Sequence, residues 1–75
     1  MKLNEAPINK IFEISKIEAN EPIKSRLLAM GFAKGNRVSI LDFTLSRQTY
    51  DVLIEDTKVA IRKEEALCIE LKDMS

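Results

Sequence analysis

The apolar positions of the chain change phase twice, and both changes fall inside segments that otherwise read as strands. In Lys10–Ala19, "KIFEISKIEA", Phe12 and Ile14 share one parity and Ile17 and Ala19 the other. Alternation with period two is the mark of a strand half-buried in a sheet. A parity change within it predicts a bulge or a sharp bend, which small barrels need in order to curl. Arg37–Leu45, "RVSILDFTL", repeats the pattern: Val38 and Ile40 are in phase, then Leu41, Phe43 and Leu45 follow the other parity. This predicts a bend near Ile40. Tyr50, Val52 and Ile54 then mark one face of a strand over Thr49–Asp56. A tight turn is expected at Asp56-Thr57, followed by a strand over Lys58–Arg62 with Val59 and Ile61 inward. Lys63–Ala66, "KEEA", has room for one helical turn, and Leu67, Ile69 and Leu71 alternate in the last strand. Leu3 is expected to tuck against the core.

One segment carries helical spacing. In Asn20–Met30, Ile23, Leu27 and Met30 form the expected buried stripe. Asn20 suits an N-cap, and Pro22 falls in the first turn, where its missing N–H is not needed. Lys24, Ser25 and Arg26 face outward or sideways. The order is therefore strand, helix, then four strands with short connections. This predicts a mainly β fold with one helix, in which a strongly bent five-stranded sheet closes on itself and the helix plugs one end.

Both glycines of the chain fall in "RLLAMGFAKGNRV". With the helix ending at Met30, Gly31 takes the position after the cap, where a left-handed backbone selects glycine. Phe32 and Leu27 are then placed to touch across the helix end. Gly35 holds the third position of the turn Ala33–Asn36, where a type II turn needs positive φ. A phosphate-binding loop would place a strand before the glycines and a helix after them. The order here is the reverse, so Gly31 and Gly35 read as structural turns.

Seventy-five residues predict one domain over 1–75, with about 60–65% of the unfolded chain's surface buried. Lys and Arg number 12, as do Asp and Glu, and this balance argues against a nucleic-acid partner. Histidine is absent, which removes the commonest general base and metal ligand. Catalytic residues and cofactors are accordingly not expected. Asp42, Asp51, Glu55 and Asp56 are the acids nearest the middle strands, and they lack a ligand-like spacing, so no metal site is expected. Cys68 is the only cysteine, which suits a reducing, cytoplasmic setting and a half-buried, inert thiol. No apolar run approaches the roughly 20 residues of a membrane span, so direct insertion is not expected.

Three stretches, "SRLLAMGFAKGNRVSIL", "YDVLIEDTKVAIRKEEA" and "LCIEL", resemble the ferrous-iron transport protein A (FeoA) family in their order and spacing. The resemblance implies an SH3-like barrel and an accessory, regulatory role in bacterial ferrous-iron uptake. It also implies a partner, the large membrane transporter of the same system (FeoB), whose cytosolic part binds GTP. The same barrel occurs as an appended domain of iron- and manganese-dependent repressors. This leaves a stand-alone regulatory barrel or a small nucleic-acid binder as the alternative, and self-association stays open. Two departures stand out. Lys34 replaces the family's turn proline. The loop "TLSRQT", Thr44 to Thr49, lacks the glycine of the family's Pro-Leu-Gly type sequence, although Leu45 holds the place of its leucine.

Recognition on a rigid barrel is expected in its loops. Leu45, Arg47 and Tyr50 lie in or beside the loop between the second and third strands and form the first candidate contact surface. Arg26 and Lys24, on the exposed helix face, form the second. Arg62, Lys63, Glu64 and Glu65 read as a solvated turn, with the two glutamates favourable at the start of a helical turn.

Overall fold

The computed structural model describes residues 1–74. A 3-10 turn over Leu3–Glu5 opens the chain. It is followed by β1 (Phe12–Ile17), α1 (Ile23–Ala29), β2 (Arg37–Phe43), β3 (Thr49–Ile54), β4 (Thr57–Arg62), α2 (Lys63–Ala66) and β5 (Ile69–Asp73). The strands form one antiparallel sheet in the order β4-β3-β2-β1-β5. Among the described residues no helix is long and apolar enough to cross a membrane.

Both phase changes are bulges. The register of β1 against β5 slips between Ile14 and Lys16, and that of β2 against β3 slips between Ile40 and Asp42. Each inserts one residue, Ser15 or Leu41, and so returns apolar side chains to the inner face while bending the strand. Beyond the Val38 pairing, β2 leaves β1 and is paired instead by the N-terminal segment, where Asn9 N–H donates to Ile40 C=O at 2.8 Å. The core collects Leu3, Phe12, Ile14, Leu27, Phe32, Val38, Ile40, Tyr50, Val52, Ile54, Ile61, Ala66, Ile69 and Leu71.

The glycine stretch closes as a Schellman motif. Phe32 N–H donates to Leu27 C=O at 2.9 Å and Gly31 N–H to Leu28 C=O at 3.0 Å. Gly31 has φ +101° and Gly35 φ +94°. Asn36 N–H closes the second turn on Ala33 C=O at 3.0 Å, and its side-chain amide donates to Gly31 C=O at 2.7 Å.

Four expectations need correction. The helix is shorter than Asn20–Met30, and among the described residues the Asn20 side chain makes no cap bond. Its carbonyl still accepts Lys24 N–H at 3.0 Å, while Glu21 takes Ser25 N–H at 2.7 Å and the Ser25 hydroxyl. Those bonds hold the Glu21 carboxyl below the usual carboxylate range. Ile23 is exposed, because a helix of two turns reaches the core only with Leu27 and, partly, Met30. The β3–β4 loop is Glu55-Asp56 rather than Asp56-Thr57, since Ile54 pairs with Thr57. Leu67 caps α2 at the surface, and the last strand starts two residues later at Ile69.

Ion pairs gather on one half of the sheet. Lys72 meets Glu13 at 3.1 Å, Lys10 meets Asp73 at 3.0 Å, and Lys2 meets Glu70 at 3.2 Å. The terminal ammonium reaches Glu70 at 3.0 Å and, with Lys2, holds that carboxyl below its usual range. Such exposed pairs are screened by solvent and contribute little to stability.

Candidate interaction surface

The loop from Thr44 to Gln48 is built around one threonine. Thr44 C=O accepts Arg47 N–H at 2.8 Å, and its hydroxyl oxygen lies 3.2 Å from Gln48 N and 3.3 Å from Thr49 N. This local satisfaction of backbone donors lets a short loop hold its shape without burial. Arg47 sits in the left-handed region, φ +57°. It occupies the strained position that glycine normally relieves, which accounts physically for a loop that works without glycine.

What Arg47 offers in return is a stack. Its guanidinium lies 4.6 Å from the centroid of the Phe43 ring, and the Phe43 and Tyr50 rings are 6.1 Å apart, tilted by 39°. Leu45 stands at the tip with its whole side chain in solvent, at 105% relative exposure. Tyr50, expected beside the loop as a contact, is 2% exposed. It packs against Phe43, and what little of it is exposed faces a neighbouring cleft. Beneath Arg47 a cleft of about 340 Å³ opens between the N-terminal segment and the hairpin, lined by Asn4, Ile8, Ile40, Phe43, Arg47 and Tyr50.

Replacing Arg47 separates the two effects. Arg47→Gly relieves the left-handed strain and loses the ring contact, two changes of about 1 kcal/mol that oppose each other. Arg47→Ala keeps the strain and loses the contact. We expect the alanine variant to melt lower than the glycine variant, and a calorimetric scan showing the reverse order would contradict this account.

The second candidate pair divides. Lys24 is exposed on α1 with no ion-pair partner among the described residues. Arg26 is committed: its Nε lies 3.3 Å from Glu65 Oε2, as an ion pair rather than an aligned hydrogen bond. Glu65, read from sequence as part of a solvated turn, is 4% exposed. Its Oε1 accepts Arg62 N–H at 2.9 Å, capping α2. An acid at the third helical position is the signal that could have revealed this cap. Lys63 N–H donates to Gln48 C=O at 2.9 Å, so the loop, α2 and α1 are joined through Gln48, Lys63, Glu65 and Arg26. Phe43, the bracket under Arg47, was legible only as one apolar position of a strand.

Other candidate chemistry is modest. Cys68 is half-buried, with its thiol donating to Glu64 C=O at 3.3 Å. Asp42 lies opposite Asp51 across the β2 bulge, and its carboxylate accepts Phe43 N–H at 2.8 Å. Among the described residues no three of Cys, Asp and Glu gather into a metal-binding group.

Comparison with known proteins places these features. A Helicobacter pylori protein named Fe(2+) transport protein A is 34% identical over 74 residues, covering 97% of each chain. The FeoA protein of Stenotrophomonas maltophilia, solved with zinc and described as an SH3-domain protein, superposes with a TM-score of 0.83 at 26% identity, over 96% of this chain and 89% of that one. Iron(II) transport protein A of Clostridium thermocellum reaches a TM-score of 0.93 at 24% identity, where this chain is covered to 99% and spans 46% of the other. A manganese-dependent transcriptional repressor shares the fold, with a TM-score of 0.90 at 15% identity, over 99% of this chain and 41% of the repressor. The FeoA domain matches residues 1–73, and the chain, a five-stranded SH3-like barrel, belongs to the FeoA family of ferrous-iron transport.

Proposed function

We propose that the chain is a cytoplasmic accessory protein of ferrous-iron uptake that docks its β2–β3 loop on the cytosolic, GTP-binding part of the membrane ferrous-iron transporter. The observation that carries this reading is Leu45, an apolar side chain wholly in solvent at the tip of a loop braced by Arg47, Phe43 and Tyr50. A rigid apolar anchor beside an arginine has the make-up of an interface hot spot. The Stenotrophomonas maltophilia relative, which is named as a candidate activating factor of bacterial ferrous-iron transport, supports the same direction.

The test is ferrous-iron uptake in a deletion strain complemented with wild type, Leu45→Asp or Arg47→Glu. Uptake should fall in the deletion strain and return only with the wild type. Losing an anchor of about 2 kcal/mol weakens binding about 30-fold, measurable by titrating the purified cytosolic GTP-binding part. Normal uptake in the deletion strain would sink the reading. Undiminished binding by Leu45→Asp would remove the loop from it.

A further inference from the structure

β4 is an open edge of the sheet. It pairs with β3 along its whole length, and no strand lies on its other side among the described residues. The direction of its main-chain groups follows from two bonds. Lys63 N–H donates to Gln48 C=O at 2.9 Å, so Lys63 and Gln48 form a hydrogen-bonded pair of the ladder. Such pairs alternate, so Thr57, Val59 and Ile61 also turn their N–H and C=O groups toward β3. Lys58, Ala60 and Arg62 turn theirs away. Arg62 N–H confirms this, since it donates to Glu65 Oε1 at 2.9 Å on the side away from β3. Among the described residues the N–H and C=O groups of Lys58 and Ala60 are left without a protein partner, and both residues are exposed.

The side chains along this edge say what would pair with it. Lys58, Ala60 and Arg62 share the outer face, while Val59 and Ile61 point to the core side. Neither Lys58 nor Arg62 forms an ion pair among the described residues, in contrast to the lysines of the β1–β5 half. Charged residues on an edge guard it against other strands. Here they guard it selectively. A second copy adding antiparallel over the full strand, Ala60 opposite Ala60, would set Lys58 against Arg62 twice, and like charges directly opposite are destabilising. The register with Val59 opposite Val59 is as long, but it leaves each Lys58 opposite Ala60 with no acid to face. A strand with acids opposite Lys58 and Arg62 and a small residue opposite Ala60 is attracted by the same two charges.

We propose that the outer edge of β4 is a strand-addition site for an extended segment of a partner protein. That segment carries acidic residues four positions apart on one face and β-branched apolar residues between them on the other. Main-chain bonds to Lys58 and Ala60 would supply affinity, and the two acids would set register. The proposal does not depend on the β2–β3 loop reading.

The test uses two short synthetic peptides of alternating pattern, Glu-Val-Thr-Val-Glu flanked by neutral caps and the same peptide with Lys for Glu. Amide hydrogen exchange of the whole protein is followed by NMR. At saturating glutamate peptide, exchange at Lys58 and Ala60 should slow by at least about tenfold, while Val59 and Ile61, already bonded to β3, stay unchanged. The lysine peptide should give no protection. Ala60→Pro, which removes an outward N–H from an edge strand, should abolish the effect. Should Ala60→Pro fail to fold, the double variant Lys58→Glu/Arg62→Glu decides, because it should reverse the preference toward the lysine peptide. No protection at Lys58 and Ala60, equal protection by both peptides, or protection that grows with protein concentration alone would each overturn the proposal, the last by making the occupant a second copy.

Discussion

Phe32→Ala should cost about 3–5 kcal/mol, the range for truncating a fully buried aromatic. Phe32 is 0% exposed, and its own N–H is bonded to Leu27 C=O at 2.9 Å. Its ring therefore joins the end of α1 to the core that the strands build. A domain of this size has roughly 4–11 kcal/mol of stability in total. The truncation removes a large share of that and should lower the melting temperature by on the order of 20 °C. Phe32→Leu keeps most of the volume and should cost under about 1.5 kcal/mol. Circular-dichroism melts of the three proteins measure this directly. If the alanine variant melts with wild type, the clasp contributes little and α1 is held some other way.

Gly31→Val should cost about 1–3 kcal/mol, for a different reason. An added Cβ would lie 3.6 Å from Ile54 Cγ1, which is ordinary contact, so space alone does not forbid a side chain. The backbone does. At φ +101° an L-residue is strained whatever surrounds it, and a β-branched one most of all. Gly31→Ala should therefore already lose about 1 kcal/mol, with the valine methyls pressed toward Ile54 adding the rest. Because the Schellman bonds depend on this φ, the amides of Gly31 and Phe32 should exchange faster in both variants. An alanine variant with wild-type melting and wild-type exchange would mean that the helix does not end as described.

Local rules governed what could be read directly. The changes of apolar parity at Ser15 and Leu41 marked both bulges, because an extra residue is the way a period-two pattern can change face within one strand. The paired glycines marked the helix end and the following turn, because positive φ has a strong residue preference. The FeoA resemblance gathered these features in the correct order, and the family match over residues 1–73 agrees with it. Edges were less legible. Ile23 and Leu67 have the right period for burial, yet both are surface residues, since a short helix and a single turn cannot carry every apolar position inward. Spacing states which residues share a face. It does not state how far the core extends beneath that face.

The candidate surface divides along the same line. Leu45 and Arg47 could be chosen because a loop between two strands must reach solvent. That Arg47 lies over Phe43, that Tyr50 sits beneath it, and that Arg26 is tied to a nearly buried Glu65 all depend on residues 4 to 39 positions apart in the chain. The equal count of 12 cations and 12 acids likewise hid their arrangement: the β1–β5 half pairs its charges, while Lys58 and Arg62 on the β4 edge are left unpaired among the described residues. The strands, their bulges and the glycine-closed helix end could be read in advance because each follows from side-chain period or backbone preference within a few residues. Which charges find partners and which strand edge stays open could not, because both depend on which distant segments the folded sheet sets side by side.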